Sequence, residues 1–347
     1  MRHNNNFDLL RLFAALQVAY GHGVWHLGIE NSVLLWIRDI LAFFPGVPIF
    51  FFISGYLVYQ SWERNQKDLK RYFRNRSLRI FPALIGVSVI GLVLVVVFKP
   101  TLVVSNTKDL LVWFFGQVSF FQFYTPDVIR YWGVGTPNGS LWTISVELQF
   151  YLLLPFLGIL FKGKYGNYFI LSAILIFWLL NFLAVGHYYE DLLFGKLLGV
   201  SITSYLFFFL LGMLGYKNRT ILAPLFTRYF GAIVGVFVIL CAFDWFRTDI
   251  NMGSYWLTTI PNIVFYLILC LLVIGFAHSK RFLLITKELK GIDLSYGIYV
   301  YHMLVINTLV ALNFTSSSLF LLLMLIITIV LGYLSWKLIE KPFLLRK

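Results

Sequence analysis

The sequence has 347 residues, of which 60% are hydrophobic and 12% are charged, and its formal net charge is +13. A composition this apolar excludes an ordinary soluble domain and indicates a protein that crosses a membrane many times. Cys241 and Cys270 both lie in apolar runs. Their placement argues against a disulfide framework and against a metal site built from thiols.

Apolar runs bounded by polar residues predict an all-α fold with about ten transmembrane helices in a single domain, residues 1–347. These helices are predicted at 8–27, 40–60, 78–98, 140–161, 167–185, 198–216, 228–247, 256–277, 292–312 and 317–338. They leave no stretch for a separate soluble catalytic domain. The aromatic segment 109–124 is shorter and contains Gly116, Gln117 and Gln122. We interpret it as an interfacial or re-entrant helix.

The distribution of basic residues predicts that both termini are cytoplasmic. With ten spans in this orientation, most of the 28 Lys and Arg residues lie at cytoplasmic ends. The exceptions are Arg38, Lys99, Lys108, Arg130, Lys196 and Arg247. This bias follows the positive-inside rule, and an eleventh crossing at 109–124 would destroy it. Most of the positive charge is therefore explained by membrane topology rather than by a nucleic-acid partner.

The first predicted span carries Arg11 and His22 inside its apolar run. Eleven residues of α-helix come to about 20° past three full turns, so both side chains share one face, about 16 Å apart along the axis. Ala15 and Val18 lie between them on that face and are small enough to leave a groove beside a neighbouring helix. His26 follows His22 by four residues, but no further ligand at suitable spacing supports a metal site.

Two features follow in the next part of the chain. Ser54-Gly55, within FFISGYL, predicts a close helix-packing site. The segment 63–82 is interpreted as a basic loop with seven cations: Arg64, Lys67, Lys70, Arg71, Arg74, Arg76 and Arg79. Composition alone favours an orientation signal that also attracts anionic lipid. Arg76 and Arg79, three residues apart at the mouth of the third span, also suit bidentate recognition of phosphate.

Aromatic residues accumulate near the predicted external surface: Tyr124, Tyr131, Trp132, Trp142 and the turn at 245–256. Such residues can stack on sugar rings, but an interfacial aromatic belt is the more ordinary explanation.

Two further ionisable residues are predicted near the middle of the membrane. Glu147 lies about 10 Å below the external start of its span, and His302 lies about 15 Å from the cytoplasmic start of its own. A carboxylate at this depth is hard to explain by packing and favours a functional role. His302 has several hydroxyl groups near it in sequence, including Ser295 and Tyr299, so structural and functional interpretations are equally open.

These motifs together resemble the membrane-bound acyltransferase-3 family over essentially the whole chain. The features that carry the resemblance are ordered along the sequence: Arg11-x10-His22, FFISGYL (51–57), Arg76-x-x-Arg79 followed by Pro82, SLWTISVELQFY (140–151) with Glu147, SYGIYVYH (295–302), and Glu340-Lys341-Pro342. Each is weak alone, but their order, spacing and topology are quite specific.

The resemblance implies transfer of an acyl group, usually acetyl, from cytoplasmic acyl-CoA to a hydroxyl of an extracytoplasmic glycan or sugar. It implies a multi-pass protein of a bacterial inner membrane, with no metal and without the fused soluble esterase-like domain of some relatives. The implied partners are acyl-CoA, the lipid bilayer and a glycan acceptor, free or lipid-linked, with no nucleic acid. The acceptor (O-antigen, capsule, peptidoglycan, another glycan or a small molecule), the acyl length and the oligomeric state stay open.

The same resemblance implies roles for individual residues. Arg11, Arg76 and Arg79 are expected to bind the phosphates of CoA. His22 is expected to be the general base or a transient acyl acceptor, with Glu147 orienting it. His302, Ser295, Tyr299 and Trp142 are expected to contact substrate or to support the site.

Two other classes of function compete with the enzyme. A proton-coupled transporter also uses Glu and His residues at mid-membrane depth. The basic segment, the groove between Arg11 and His22 and the absence of an obvious inverted repeat favour the enzyme. A membrane scaffold would leave His22 and Glu147 unexplained.

Overall fold

The computed structural model describes residues 5–65, 68–190, 192–242, 260–282 and 291–346. Within these ranges the chain forms α-helices and short 3₁₀ and π turns, with no strand, which confirms the all-α class. The helices are α1 (Phe7–His26), α2 (Ser32–Ala42), α3 (Gly46–Arg64), α4 (Leu69–Phe98), α5 (Pro100–Gln117), α6 (Trp142–Leu160), α7 (Gly166–Glu190), α8 (Leu192–Gly199), α9 (Leu206–Lys217), α10 (Arg219–Arg228), α11 (Phe230–Ala242), α12 (Ile260–His278), α13 (Ser295–Ala311), α14 (Ser318–Ser335) and α15 (Lys341–Leu344). A π-helical turn, Trp336–Glu340, joins the last two.

Several described helices are long and apolar enough to cross a membrane. Four segments meet this criterion, and the bent pair α10–α11, with 72° between its two helices, makes a fifth if it counts as one span. Four shorter apolar helices accompany them: Gly166–Phe182, Leu206–Lys217, Asn262–His278 and Ser295–Ala311. The count of ten crossings and the cytoplasmic location of the termini stay predictions.

The interpretation of 63–82 as a loop is wrong. Helix α3 continues to Arg64 and α4 begins at Leu69, so five of the seven basic residues lie on the first turns of α4. The helix forms there because apolar residues such as Tyr72 and Ile80 recur among the cations and become buried, while the charged faces stay accessible. Lys67 lies outside the described residues.

The predicted bounds of the aromatic segment 109–124 are also wrong. Helix α5 begins at Pro100, nine residues earlier, because proline is well suited to the first position of a helix. It ends at Gln117, whose side-chain amide donates to the carbonyl oxygens of Gln122 (3.2 Å) and Tyr124 (3.3 Å) in the turns that follow.

The chain divides into two compact units. The first comprises the described parts of Met1–Arg11, Val47–Tyr72 and Val146–Lys290, and the second those of Leu12–Gly46, Phe73–Ser145 and Gly291–Lys347.

Within the first unit, the backbones of α3 and α9 touch at two glycines. A Cβ atom at Gly55 would lie 2.1 Å from the carbonyl oxygen of Phe209, and one at Gly212 would lie 2.1 Å from that of Phe52. Side chains at these positions are thus excluded by the neighbouring backbone. The predicted packing role of Ser54-Gly55 is confirmed.

The second unit is built around α13, which is buried along nearly its whole length. Gly297 lets α13 approach α14, since a Cβ atom there would lie 2.8 Å from Gly332. Helix α1 packs on α14 at Gly23, where a Cβ atom would lie 2.2 Å from Met324 Cε. An apolar core fills the space between α1, α13 and α14: Val24, Leu27, Ile29, Met303, Val305, Ile306, Leu309, Leu321 and Met324. This packing fixes the positions of the polar side chains that α1 and α13 carry.

Candidate functional site

Two histidines from distant parts of the sequence meet in the second unit. His22 on α1 and His302 on α13 have their Nδ1 and Nε2 atoms 2.9 Å apart. Their ring centroids are 5.2 Å apart. His302 is completely buried, whereas His22 is only partly buried. His22 is therefore the more accessible histidine of the pair and the one that a substrate can reach.

Hydrogen bonding determines which ring nitrogens carry protons when both histidines are neutral. His302 Nδ1 lies 2.7 Å from the carbonyl oxygen of Tyr299, which can only accept, so Nδ1 is the protonated nitrogen of His302. Its Nε2 then accepts from Nδ1–H of His22. This leaves the lone pair of His22 on Nε2. His302 thus holds His22 in the tautomer whose lone pair is on Nε2, which is the tautomer that a general base or a nucleophile requires.

Tyr299 is held in place by the segment that precedes α6. Its hydroxyl lies 2.8 Å from Thr143 Oγ1 and donates to the carbonyl oxygen of Ser140 at 3.2 Å. Asn138 donates from Nδ2 to the carbonyl oxygen of Val300 at 2.8 Å. Tyr299 therefore supports His302 through its backbone and anchors α13 through its side chain.

One turn beyond His302, Asn307 ties the same helix to residues 134–137. Its Nδ2 donates to the carbonyl oxygens of Thr136 and Pro137, both at 3.1 Å, and its Oδ1 accepts from the backbone N–H of Val134 at 2.8 Å. Asn138 and Asn307 were not predicted from the sequence. The available signals were an amide side chain in the TPNGS turn (136–140) and another within the apolar run of the ninth predicted span.

A buried ion pair lies at the start of α13. Arg79 of α4 forms an ion pair with Asp293, and both side chains are mostly buried, with 17% and 10% of their surface exposed. Asp293 also accepts from the backbone N–H of Ser295 at 3.2 Å and from its hydroxyl. Ser295 thus supports the acidic partner of Arg79. Asp293 was missed, although an acidic residue in the first turn of a predicted span was the available signal.

Helix α13 connects the ion pair to the histidine pair. Ser295 and His302 are seven residues apart, which places them on one face of the helix, about 10 Å apart along its axis. Within this unit the Arg79 guanidinium therefore lies at one end of α13. The His302 imidazole, which contacts His22, lies about two turns further along α13.

The other predicted donor-binding arginines have separate surroundings. Arg11, on the same helix as His22, forms an ion pair with Asp8 one turn earlier. Arg76 is partly buried on α4, one turn before Arg79. Trp142 begins α6 and is partly buried.

Glu147 belongs to the first unit. Its Oε1 accepts from Tyr151 OH at 2.6 Å and from Ser54 Oγ at 3.2 Å. Tyr151 is in turn held by Tyr72, whose hydroxyl donates to the Tyr151 carbonyl oxygen at 3.1 Å. Within the second unit, the contact that fixes the tautomer of His22 comes from His302. The orienting role expected for Glu147 stays a prediction.

The sequence also left two weaker possibilities, a metal at His26 and aromatic residues that stack on a sugar. The His26 ring lies 5.8 Å from that of His22, and no group of three or more His, Cys, Asp or Glu side chains able to hold a metal occurs in the part of the chain described. Tyr124 and Tyr131 are exposed, but Trp132 is 1% exposed and is not available to a sugar. The turn at 245–256 lies outside the described residues.

The fold and site define a helical membrane protein with a partly buried imidazole that a second histidine orients, and with a buried ion pair of Arg79 and Asp293 about two turns away along α13. Comparison with known proteins identifies its family. The family model described as "Acyltransferase domain" matches residues 4–337, so the chain belongs to this acyltransferase family.

Three relatives illustrate the range of similar proteins. Nodulation protein 10 of Rhizobium leguminosarum bv. viciae is 33% identical over 356 residues, which cover 98% of this chain and 93% of that protein. The peptidoglycan O-acetyltransferase OatA of Listeria monocytogenes is 33% identical over 118 residues, 32% of this chain and 19% of that protein. The O-acetyltransferase OatA of Staphylococcus aureus strain NCTC 8325 is 28% identical over 168 residues, 44% of this chain and 24% of that protein. No solved structure matches the chain.

Proposed function

We propose that this protein transfers an acyl group, usually acetyl, from acyl-CoA on the cytoplasmic side to a hydroxyl of a glycan or sugar on the opposite side of the membrane. The observation that carries this proposal is the hydrogen-bonded chain from the Tyr299 carbonyl through His302 to His22. It provides a base at His22 Nε2 inside an apolar protein whose family transfers acyl groups.

In direct transfer, His22 Nε2 takes the proton of the acceptor hydroxyl while its oxygen attacks the thioester carbonyl. The C–S bond breaks, an ester forms, and the proton passes from His22 to the thiolate of CoA. His22 becomes an imidazolium during this step. His302 Nε2 continues to accept from His22 Nδ1–H, as the carboxylate does in a Ser-His-Asp triad.

The alternative route uses the same nitrogen as a nucleophile. His22 Nε2 attacks the thioester, the C–S bond breaks, and CoA thiolate leaves an acyl-imidazolium whose Nδ1–H still donates to His302. The acceptor hydroxyl then attacks the acyl carbon, the C–N bond breaks, and the hydroxyl proton passes through the released Nε2 to the CoA thiolate. Both routes need the tautomer that His302 holds, so both make the same demands on the pair.

Donor recognition is assigned to Arg76 and Arg79, with Arg11 contributing from α1. Guanidinium groups bind phosphate oxygens bidentately, and holding one of them in advance lowers the entropy lost on binding. Asp293 accepts from one terminal nitrogen of Arg79 and holds the group in this way. The phosphates would lie at the guanidinium groups of Arg76 and Arg79 near the start of α13, and the thioester would extend along α13 towards His302 and His22.

Glu147 stays a candidate catalytic residue. Two hydroxyl donors, Ser54 Oγ and Tyr151 OH, orient its Oε1. Glu147→Gln keeps an oxygen acceptor for Ser54 and Tyr151 but removes the charge. We expect this variant to lose acyl transfer while retaining its fold.

The glycan acceptor is supported by the relatives rather than by a contact in the protein. Two of them are named as O-acetyltransferases, one of these for peptidoglycan. The acceptor would enter from the external side, where Trp142 opens α6. An inner-membrane location and acetyl-CoA as the donor complete the proposal.

Mass spectrometry of surface glycans from cells with and without the gene tests the function whichever glycan is the acceptor. The proposal predicts an acyl group, 42 Da for acetyl, on a glycan only in cells with the gene; identical glycans would contradict it. Acetyl-CoA turnover by the purified protein that depends on added glycan supports the enzyme. Acetyl-CoA-independent uptake of a solute into vesicles would support a transporter instead.

A further inference from the structure

A cleft of about 850 Å³ opens in the first unit where α10, α11 and the end of α12 meet. Helices α10 and α11 meet at an angle of 72° around Tyr229. Gly275 of α12 allows this bend to pack closely, since a Cβ atom there would lie 2.8 Å from Phe230 and 2.9 Å from the Phe226 carbonyl oxygen. The cleft is therefore a built feature of helix packing rather than a gap between loops.

The lining of the cleft is positively charged. Arg228, Lys280 and Arg281 contribute three exposed cations, and none of the described residues that line the cleft is acidic. Thr227 and Ser279 add hydroxyl groups. The described part of the lining thus offers several donors to an anion and no carboxylate to repel it.

The backbone at the cleft also favours an anion. Phe230 and Gly231, which line it, begin the 13-residue helix α11, and the first amides of a helix point out with a partial positive charge.

The opposing carbonyl groups at the end of α12 are occupied by Asn6. Its side-chain amide donates to Phe276 at 2.9 Å and Ser279 at 2.7 Å, and its backbone N–H donates to Ala277 at 2.7 Å. Asn6 is fully buried. Hydrogen bonds from Asn6 therefore satisfy three carbonyl oxygens at the negative end of α12.

An apolar surface continues from the cleft along α11. Gly231 lines the cleft, and Val234 and Val238 follow it on the same helix face, three and seven residues later. Both valines are exposed, as are Val236 and Ile239 beside them. In a membrane protein such a surface faces acyl chains. A ligand with both a phosphate and an acyl chain fits the cleft and this surface together, whereas a soluble phosphate uses only the first.

We propose that this cleft binds the headgroup of an anionic phospholipid, with Arg228, Lys280 and Arg281 around the phosphate and an acyl chain along Val234 and Val238. Basic pockets between helices at a membrane surface bind lipid headgroups in this way. The site is distinct from the proposed acyl-transfer residues and does not depend on their assignment.

Native mass spectrometry of the full chain, purified in detergent, tests the proposal by titration with phosphatidylglycerol and with phosphatidylcholine of the same acyl chains. The proposal predicts preferential, saturable binding of one phosphatidylglycerol. Lys280→Gln with Arg281→Gln should weaken it by about fivefold for each charge removed. A matched pair on another exposed loop, Lys162→Gln with Lys164→Gln, should leave it unchanged.

A second variant tests the shape of the cleft without changing its charge. A Cβ atom at Gly231 meets nothing within 4 Å, so Gly231→Trp fits the helix and places an indole in the cleft. It should reduce phosphatidylglycerol binding as strongly as the charge variant, with an unchanged unfolding transition.

Several results would overturn the proposal. Equal binding of both lipids, or equal loss in the two charge pairs, would indicate general surface attraction. Displacement of the lipid by millimolar inorganic phosphate or glycerol phosphate would assign the cleft to a soluble anion. Displacement by acetyl-CoA would assign it to the nucleotide of the acyl donor.

Discussion

His22 Nδ1 lies 2.9 Å from His302 Nε2, and this contact decides the protonation of both rings. Because the Tyr299 carbonyl accepts from His302 Nδ1, His22 must donate from Nδ1 and keep its lone pair on Nε2. In a Ser-His-Asp triad an acidic residue fixes the tautomer in the same way. Here a neutral imidazole performs that task, which avoids placing a second charge in the buried core beside His22.

His22→Ala should lower kcat for acyl transfer by about 10²- to 10⁴-fold, the usual range for loss of a general base, or abolish it if His22 is acylated. Binding of the acyl donor should change little. The assay is release of CoA from acetyl-CoA by purified protein with acceptor. His26→Ala is the control, since it removes a histidine from the next turn of the same helix and should retain most of the activity. Comparable losses in the two variants would contradict the assignment.

His302 is a positioning residue, and its variants should separate orientation from packing. His302→Leu removes the acceptor for His22 Nδ1–H and should lower kcat about 10²-fold or more with little change in KM for the donor. His302→Gln places a side-chain oxygen near the position of Nε2 and should recover part of kcat. Equal activity of the Leu and Gln variants, with both folded, would show that His302 serves only for packing.

Arg79→Gln should raise KM for acetyl-CoA about tenfold or more, because it removes a charge-assisted hydrogen bond to phosphate, and kcat should be less affected. Asp293→Asn should raise KM less, since the guanidinium remains but loses its orienting partner. Added salt should weaken donor binding by the wild-type protein. Arg74→Gln, an exposed position on the same helix, is the matched control. An unchanged KM in Arg79→Gln would indicate that the basic segment serves to orient the protein in the membrane and to attract anionic lipid, and not to bind the donor.

Gly55→Ala should destabilise the protein, because the added methyl group would meet the Phe209 carbonyl oxygen at 2.1 Å. Overpacking of this kind costs about 1–3 kcal/mol, seen as a lower midpoint of thermal unfolding. Gly21→Ala is the control, since a Cβ atom there meets nothing within 4 Å. A lowered midpoint in the control, or an unchanged one in Gly55→Ala, would contradict the packing of α3 on α9.

Local sequence pattern predicted the features that depend on nearby residues. Long apolar runs placed helices such as α1 and α6 within a few residues of their observed bounds, and small residues predicted the contact at Gly55. The first and last residues of helices were harder to predict where charged or aromatic residues interrupted the apolar pattern. Helix α4 begins well before its apolar run because its charged turns also bury Tyr72 and Ile80.

The site itself could be predicted only in part. His22 and His302 were both identified, but their contact joins residues 280 positions apart and depends on how α1 and α13 pack. The partnership of Arg79 with Asp293 is likewise set by tertiary structure, as is the role of Asn307 in holding α13. Side-chain pairs between distant helices leave no periodic signal in one sequence.

Transfer across sealed membrane vesicles tests the proposed function most directly. Vesicles are prepared with the α4 end bearing Arg76 and Arg79 facing outward, and the glycan acceptor is enclosed in the lumen. Labelled acetyl-CoA is added outside, with His22→Ala vesicles as the control. We expect labelled acceptor inside, CoA released only outside, and no product with the variant. Product that forms only when donor and acceptor share one compartment would contradict transfer through the protein.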